Sequence, residues 1–269
     1  MINGDIKVDI KNTKNIKHAD LILDQFTKQA IPFSNIPGHS DELVANKIVS
    51  FSEVSQKDTV LDVACGPGLI TFPFARIASK VTGMDITPKM IERAKELQVE
   101  NGIKNITWDL GNAYALPYEN NSFSLVVTRY SFHHLLNPED ALKEMKRVCT
   151  SNGKIVIIDV CPPLEKQDAY NHFETLRDPS HTRALNMDEF IKLFEIAGLS
   201  NLKTELYLLE IELENQIKSS FPYKGNDDKM REIIKNDLVF NKTGFNPKEK
   251  DGKYYLYYPN IICVGQKIQ

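Results

Sequence analysis

The run Thr59-Val60-Leu61-Asp62-Val63 breaks off into Ala64-Cys65-Gly66-Pro67-Gly68, and this junction limits what the chain can become more than any other stretch. Its first part is β-branched and apolar with one acid near the end, the composition of a short buried strand. Gly66 and Gly68 lack a Cβ, so the backbone can turn tightly there and let a ligand come close. Leu69-Ile70-Thr71-Phe72 then opens a helix whose free N–H groups and positive dipole end face the same place. Strand, small-residue turn, helix: α/β proteins hold a nucleotide-like cofactor this way at the carboxyl end of a first strand.

The neighbours of that turn narrow the choice of cofactor. Ser79-Lys80-Val81-Thr82-Gly83-Met84-Asp85 reads as a second strand ending in an acid, which can accept from both hydroxyls of a ribose. The dinucleotide fingerprint asks for glycine or alanine at a third position, and Thr71 stands there. A nucleoside without phosphates is therefore expected.

Downstream, strand and helix take turns. Strands are expected at 59–64, 80–85, 105–110, 123–130 and 154–160. Helices are expected at 69–78, 88–101, 138–148 and 187–197. Thr87-Pro88 supplies a cap and a first-turn proline, and Gly198 a helix end. Ser151-Asn152-Gly153 turns the chain into the fifth strand, whose unbroken apolar run suits a sheet covered on both faces. Such alternation predicts a doubly wound parallel sheet with right-handed crossovers. Further strands at 204–211 and 254–264 bring the sheet to seven strands, mostly parallel. Residues 212–253 between them are long for a hairpin and hold Ile217, Met230, Ile233, Ile234 and Leu238, enough for two helices serving as a lid or an oligomer contact.

Residues 1 to about 18 are polar, rich in Lys and Asn, and expected to be loose. Leu21, Ile22, Phe26 and Ala30 place a helix over 19–30, ended by Ile31-Pro32, and Leu43, Val44, Ile48 and Val49 place another over 41–51 with Asp41 at its start. The expected organisation is one α/β domain. An N-terminal helical cap (1–52) precedes a core (58–211 and 254–269), and 212–253 is an insertion.

Asp62-Val63-Ala64-Cys65-Gly66-Pro67-Gly68, Val81-Thr82-Gly83-Met84-Asp85 and Gly111-Asn112-Ala113 follow in order. Together they resemble the first three motifs of class I S-adenosylmethionine (SAM)-dependent methyltransferases. The resemblance is to the Rossmann-like small-molecule branch that includes the ubiquinone/menaquinone-biosynthesis enzymes, and it covers roughly residues 58–199. It implies SAM as cofactor and an antiparallel pair of last strands at one sheet edge. It also implies roles for particular residues: Ala64, Cys65 and Gly66 at the methionine end, Asp62 fixing the turn or reaching the methionine amine, and Asp85 on the ribose. Ile86 and Met90 would lie against the adenine, Asn112 and Ala113 at its edge, and the Arg129 carbonyl near the amine. Phe26 and Gln29 lie in a segment resembling the cap that closes over the cofactor.

Methyl transfer to a hydroxyl or an acidic carbon also needs a base, and His133 and His134 follow the fourth strand. One can face the site while the other packs, and in this branch such a pair often touches cofactor without acid–base work. On the acceptor side, Arg177-Asp178-Pro179-Ser180-His181-Thr182-Arg183 offers two guanidiniums and an imidazole. Arg177, His181 and Arg183 can recognise a carboxylate or phosphate; alternatively, Asp178 and Arg183 pair and pin a loop. Tyr130 and Phe132 are candidates for an aromatic wall, or core, and Trp108 is expected to pack.

The net charge is −3, with Lys and Arg scattered, which argues against a nucleic-acid partner. Cys65, Cys149, Cys161 and Cys263 are far apart, with no Cys-x-x-Cys pair for a metal. No apolar run is long enough to span a membrane, and no signal peptide is evident, so a cytoplasmic protein is expected. A homodimer stays open. A SAM-binding module that does not methylate and, less favoured because of Thr71, a nicotinamide oxidoreductase are the alternatives to a methyltransferase of small O, N or C acceptors.

Overall fold

Five apolar runs lie side by side as parallel strands: β1 (Thr59–Val63), β2 (Lys80–Asp85), β3 (Ile106–Leu110), β4 (Phe123–Arg129) and β5 (Cys149–Val160). The computed structural model describes residues 10–34 and 42–268, with side chains in the first stretch from 17 to 32. The C-terminal part adds β6 (Leu199–Glu212), β7 (Lys248–Lys250) and β8 (Lys253–Lys267). The sheet order is β3-β2-β1-β4-β5-β8-β6, with β7 paired to β8. β8 runs antiparallel to β5, β6 and β7, so the sheet is open and largely parallel with an antiparallel edge. It has eight strands, one more than expected; the extra one is the three-residue β7, too short to leave a pattern in the sequence.

The helices are α1 (Ile10–Ser34), α2 (Glu42–Ser52), α3 (Thr71–Ala75), α4 (Pro88–Asn101), α5 (Pro138–Val148), α6 (Gln167–Arg177), α7 (Met187–Ile196), α8 (Leu213–Ser220) and α9 (Asn226–Asp237). Alternate residues of each strand feed opposite faces of the sheet. Leu61, Val126 and Ile157 join Leu142 and Met145 of α5 and Phe190 and Phe194 of α7 on one side. Val60, Leu125 and Val156 join Ile48 and Val49 of α2 and Phe74 of α3 on the other. A third core forms where the insertion meets the sheet edge. There Ile217, Met230, Ile234 and Phe245 pack with Tyr170 and Phe173 of α6 and Tyr258 of β8.

Several expected boundaries move. α3 has five residues rather than the ten expected over 69–78, so little of a helix dipole is available to a ligand. β5 begins at Cys149 and absorbs Ser151-Asn152-Gly153 as an irregularity in its pairing with β4, with Asn152 at φ 63°. α1 starts at Ile10, inside the stretch expected to be loose, rather than at residue 19, and it runs through Pro32 to Ser34 rather than ending at Ile31. α6 was not expected at all, although Tyr170 and Phe173 stand one helical turn apart and are both fully buried. The expectations for residues 1–9 and for Asp41 lie outside the described residues. Among the described residues no helix is long and apolar enough to cross a membrane.

Candidate functional site

The strand order reverses direction between β1 and β4, and a crevice outside the strand ends is expected at such a point. A cavity of about 690 Å³ lies there. Asp62, Ala64, Cys65 and Gly66 line it from β1. The turn is left-handed at three places: Ala64 at φ 55°, Gly66 at 54° and Gly68 at 88°. Ala64 holds this conformation without being glycine, which costs roughly 1–2 kcal/mol for an L-residue. Gly68 does not reach the cavity; a Cβ there would meet Trp108 at 2.7 Å. Trp108 indeed packs, and its indole N–H donates to Gln98 Oε1 at 2.6 Å.

Two carboxylates set the electrostatics. Asp85 lines the cavity and accepts from the Gly66 N–H (Oδ2, 2.8 Å) and the Thr87 N–H (Oδ1, 2.8 Å). It thus ties the end of β2 to the turn after β1 and keeps lone pairs for a further donor. Burial pushes its carboxyl above the ordinary range, against those backbone donors. Asp62 is fully buried. Its Oδ2 accepts the Thr71 hydroxyl at 2.5 Å, and its Oδ1 has no hydrogen-bond partner among the described residues. Burial raises its pKa to about 7; the Thr71 bond opposes this and the nearby Asp85 charge adds to it. Thr71, read in the sequence only as a departure from a fingerprint, is the side chain that holds Asp62.

Ile86 and Met90 line the next stretch, followed by Asn112 and Ala113. Asn112 Oδ1 already accepts the Tyr114 N–H at 2.9 Å, a turn-forming bond that leaves one lone pair. From β4 come Arg129 and Tyr130, whose ring lies 4.6 Å from the guanidinium carbon. Tyr130 also has positive φ, 56°, unusual for so large a residue. Its hydroxyl lies 3.3 Å from that of Tyr207. Phe132 is core.

α1 roofs the cavity with His18, Ala19, Ile22 and Phe26. It is fastened by the His18 Nε2–H donating to the His134 carbonyl at 2.7 Å and by Gln25 to the Ser220 carbonyl. Gln29, buried, donates to Asp178 Oδ2 at 3.3 Å. The Phe26 ring meets His134 edge-on at 5.0 Å between centroids.

A second chamber, about 50 Å³, shares Phe26, Tyr130 and His134 with the large cavity. The two adjacent histidines therefore divide. His134 borders both spaces, and His133 borders the small one. His133 Nδ1 is 2.5 Å from Asp159 Oδ1, and Asp159 also accepts the Phe132 and Val160 N–H groups. Asp159 went unread in the sequence, yet it is a lone acid at the end of an apolar strand, the same signal that marked Asp62. His134 Nδ1 donates to the Ser180 carbonyl at 3.0 Å, and burial, then His133, lowers its pKa to about 3.

The arginine pair does not converge. Arg177 borders the small chamber and is bound to Glu174 (2.6 Å) and Asp178 (3.7 Å). Arg183 is half exposed and pairs with Glu189 at 2.6 Å. The expected Asp178–Arg183 pin is absent among these contacts; Asp178 instead accepts the Ser180 N–H and hydroxyl. His181 bonds Asn171 at 2.8 Å and borders neither space.

These residues fit SAM. Asp62 lines a space of the right size and keeps a buried oxygen without a partner, so an ammonium or sulfonium beside it is welcome. Asp85 has capacity for hydroxyls, and the left-handed turn brings backbone close.

A family model described as a methyltransferase domain matches residues 54–231. An uncharacterized methyltransferase of Bacillus subtilis, YcgJ, is 28% identical over 173 residues, 64% of this chain and 68% of that protein. A demethylmenaquinone methyltransferase of Lactococcus lactis is 36% identical over 108 residues, 39% of this chain and 43% of the relative. Among solved structures, YcgJ superposes with a TM-score of 0.78 at 23% identity, covering 85% of this chain and all of the other. A putative methyltransferase of Bacillus halodurans gives 0.76 at 24%, covering 84% and 99%. Fold and family model agree: the chain belongs to the methyltransferase-domain family, and its cavity fits SAM.

Proposed function

We propose that this enzyme methylates a small molecule. The carrying observation is a pair of adjoining spaces that share Phe26, Tyr130 and His134, the larger one lined by Asp62 and Asp85 and suited to SAM. The second space, about 50 Å³, takes only a small group, which favours a compact acceptor over a polymer, in keeping with the net charge of −3. When bound, SAM supplies an electrophilic methyl on a sulfonium. The protein's own work is to align the partners and keep water out.

The cofactor-side residues in this reading are Asp62, Ala64, Cys65, Gly66, Asp85, Ile86, Met90, Asn112, Ala113 and Arg129, with Gly68 supporting the turn. Phe26, Gln29, Tyr130 and Arg177 stand on the acceptor side. His134 is too weak a base near neutral pH to be the proton acceptor, so it positions. His133, oriented by Asp159, is the better placed of the two.

Calorimetry tests the cofactor half. Asp85→Ala should weaken SAM by about five- to 150-fold, since a buried partner for two hydroxyls is lost, about 1–3 kcal/mol. Unchanged affinity in this variant, or NAD binding in place of SAM, refutes the reading.

A further inference from the structure

The small chamber carries more polar capacity than its own walls use, and the surplus is of one kind. Asn260, 1% exposed, donates its Nδ2–H to the Tyr258 carbonyl at 2.7 Å and leaves Oδ1 without a partner. Gln216, 3% exposed and supplied by α8, likewise leaves Oε1 without one. Glu174 and Asp178 both border the space, while one guanidinium, Arg177, answers them. Arg129 stacks on Tyr130 but lines the large cavity, where Asp62 lies near it. His133, with Nδ1–H given to Asp159, presents a lone pair at its other ring nitrogen. Unsatisfied buried acceptors are costly, and they call for a donor-rich guest.

We propose that this chamber takes the ammonium head of an amine acceptor, held by Asn260, Gln216 and the carboxylate excess, so that the methylated atom is nitrogen. This rests on the SAM-dependent reading above. At about 50 Å³ the space is well above the roughly 10–15 Å³ that one water needs and suits a head the size of methylammonium. The same lining disfavours the carboxylate or phosphate that the two arginines once suggested. The ammonium gives one proton to His133, and its freed lone pair forms the N–C bond. The C–S bond breaks with its electron pair kept by sulfur, leaving a neutral thioether and an N-methylammonium. Asp159 holds the imidazole and steadies its charge.

The test uses three probes of one shape, propylammonium, propanol and propionate, titrated by ligand-observed NMR into the full chain saturated with S-adenosylhomocysteine. Saturation is verified first by calorimetry; failure at that stage refutes the SAM reading and not merely this one. With the product bound, propylammonium should bind about tenfold more tightly than propanol, and propionate more weakly than either. Asn260→Leu and Gln216→Leu should each reduce propylammonium binding about tenfold, the worth of one hydrogen bond to a charged group, with S-adenosylhomocysteine affinity retained as the folding control. Preference for propionate, equal binding of all three, binding of none, or leucine variants that bind propylammonium unchanged each overturn the proposal.

Discussion

Asp62 is the residue on which pH acts most directly. Its pKa of about 7 in the fold lies above the unfolded value of about 3.9. Between those values the folded chain binds more protons than the unfolded one, so this residue's contribution to stability falls as pH rises from about 4 to 7, then levels off. Asp62→Asn should flatten that slope in urea titrations of the free protein. Ligand binding has the opposite sign. A cation beside Asp62 favours the carboxylate, so SAM affinity should increase up to about pH 7 and plateau above it. A pH-independent affinity would show that Asp62 does not face the cation. Ala64 gives a second test. Ala64→Gly should stabilise the protein by up to about 1 kcal/mol, whereas Ala64→Val should cost about 2 kcal/mol or more, read from urea midpoints. Asp62 and Asp85 were legible in the sequence because each ends an apolar strand at a fixed spacing. Thr71, Asn260 and Gln216 were not. A lone polar residue in a strand or an insertion carries no local signal of the chamber it helps to line.

Elements were readable in proportion to the strength of their local grammar. α4 and α5 begin on the expected prolines and end where expected, and β2 matches to the residue. α6 escaped notice because its sequence, Gln167 to Arg177, is polar on most of its circumference, and its buried stripe exists only because the insertion packs against it. α7 offers a direct measurement. Asn186 Oδ1 accepts the Glu189 N–H at 3.1 Å while Glu189 returns the favour to the Asn186 N–H at 3.0 Å, a complete capping box. Asn186→Ala should cost about 1–2 kcal/mol in denaturant unfolding, because a cap and a buried bond to Gln167 go together. A change below 0.5 kcal/mol, roughly the smallest cap effect, would mean that neighbouring contacts fix this helix start.

At the scale of the molecule, the parallel core of the sheet and the position of the crevice followed from the alternation of strands and helices, whereas the strand order did not. The third core did not, since it depends on residues as distant in sequence as Tyr170 and Phe245, whose rings stack at 4.5 Å. Because the roof, the turn and the chamber wall come from α1, β1 and β4, occupancy of the large cavity should be felt globally. S-adenosylhomocysteine at about one hundred times its Kd should add about 2.7 kcal/mol to unfolding. That corresponds to a rise in Tm of roughly 5–10 °C for a chain of this size, and NAD should give none. No shift with the nucleoside would separate the crevice from the ligand assigned to it.

The backbone of Tyr130, bent the wrong way for a side chain of its bulk, makes the wall between the two spaces a standing local discomfort. Heat-tolerance screening with no demand for turnover should discard this tyrosine early, in favour of glycine or asparagine. The sturdier chains recovered should have merged their two rooms into one and lost their discrimination between guests.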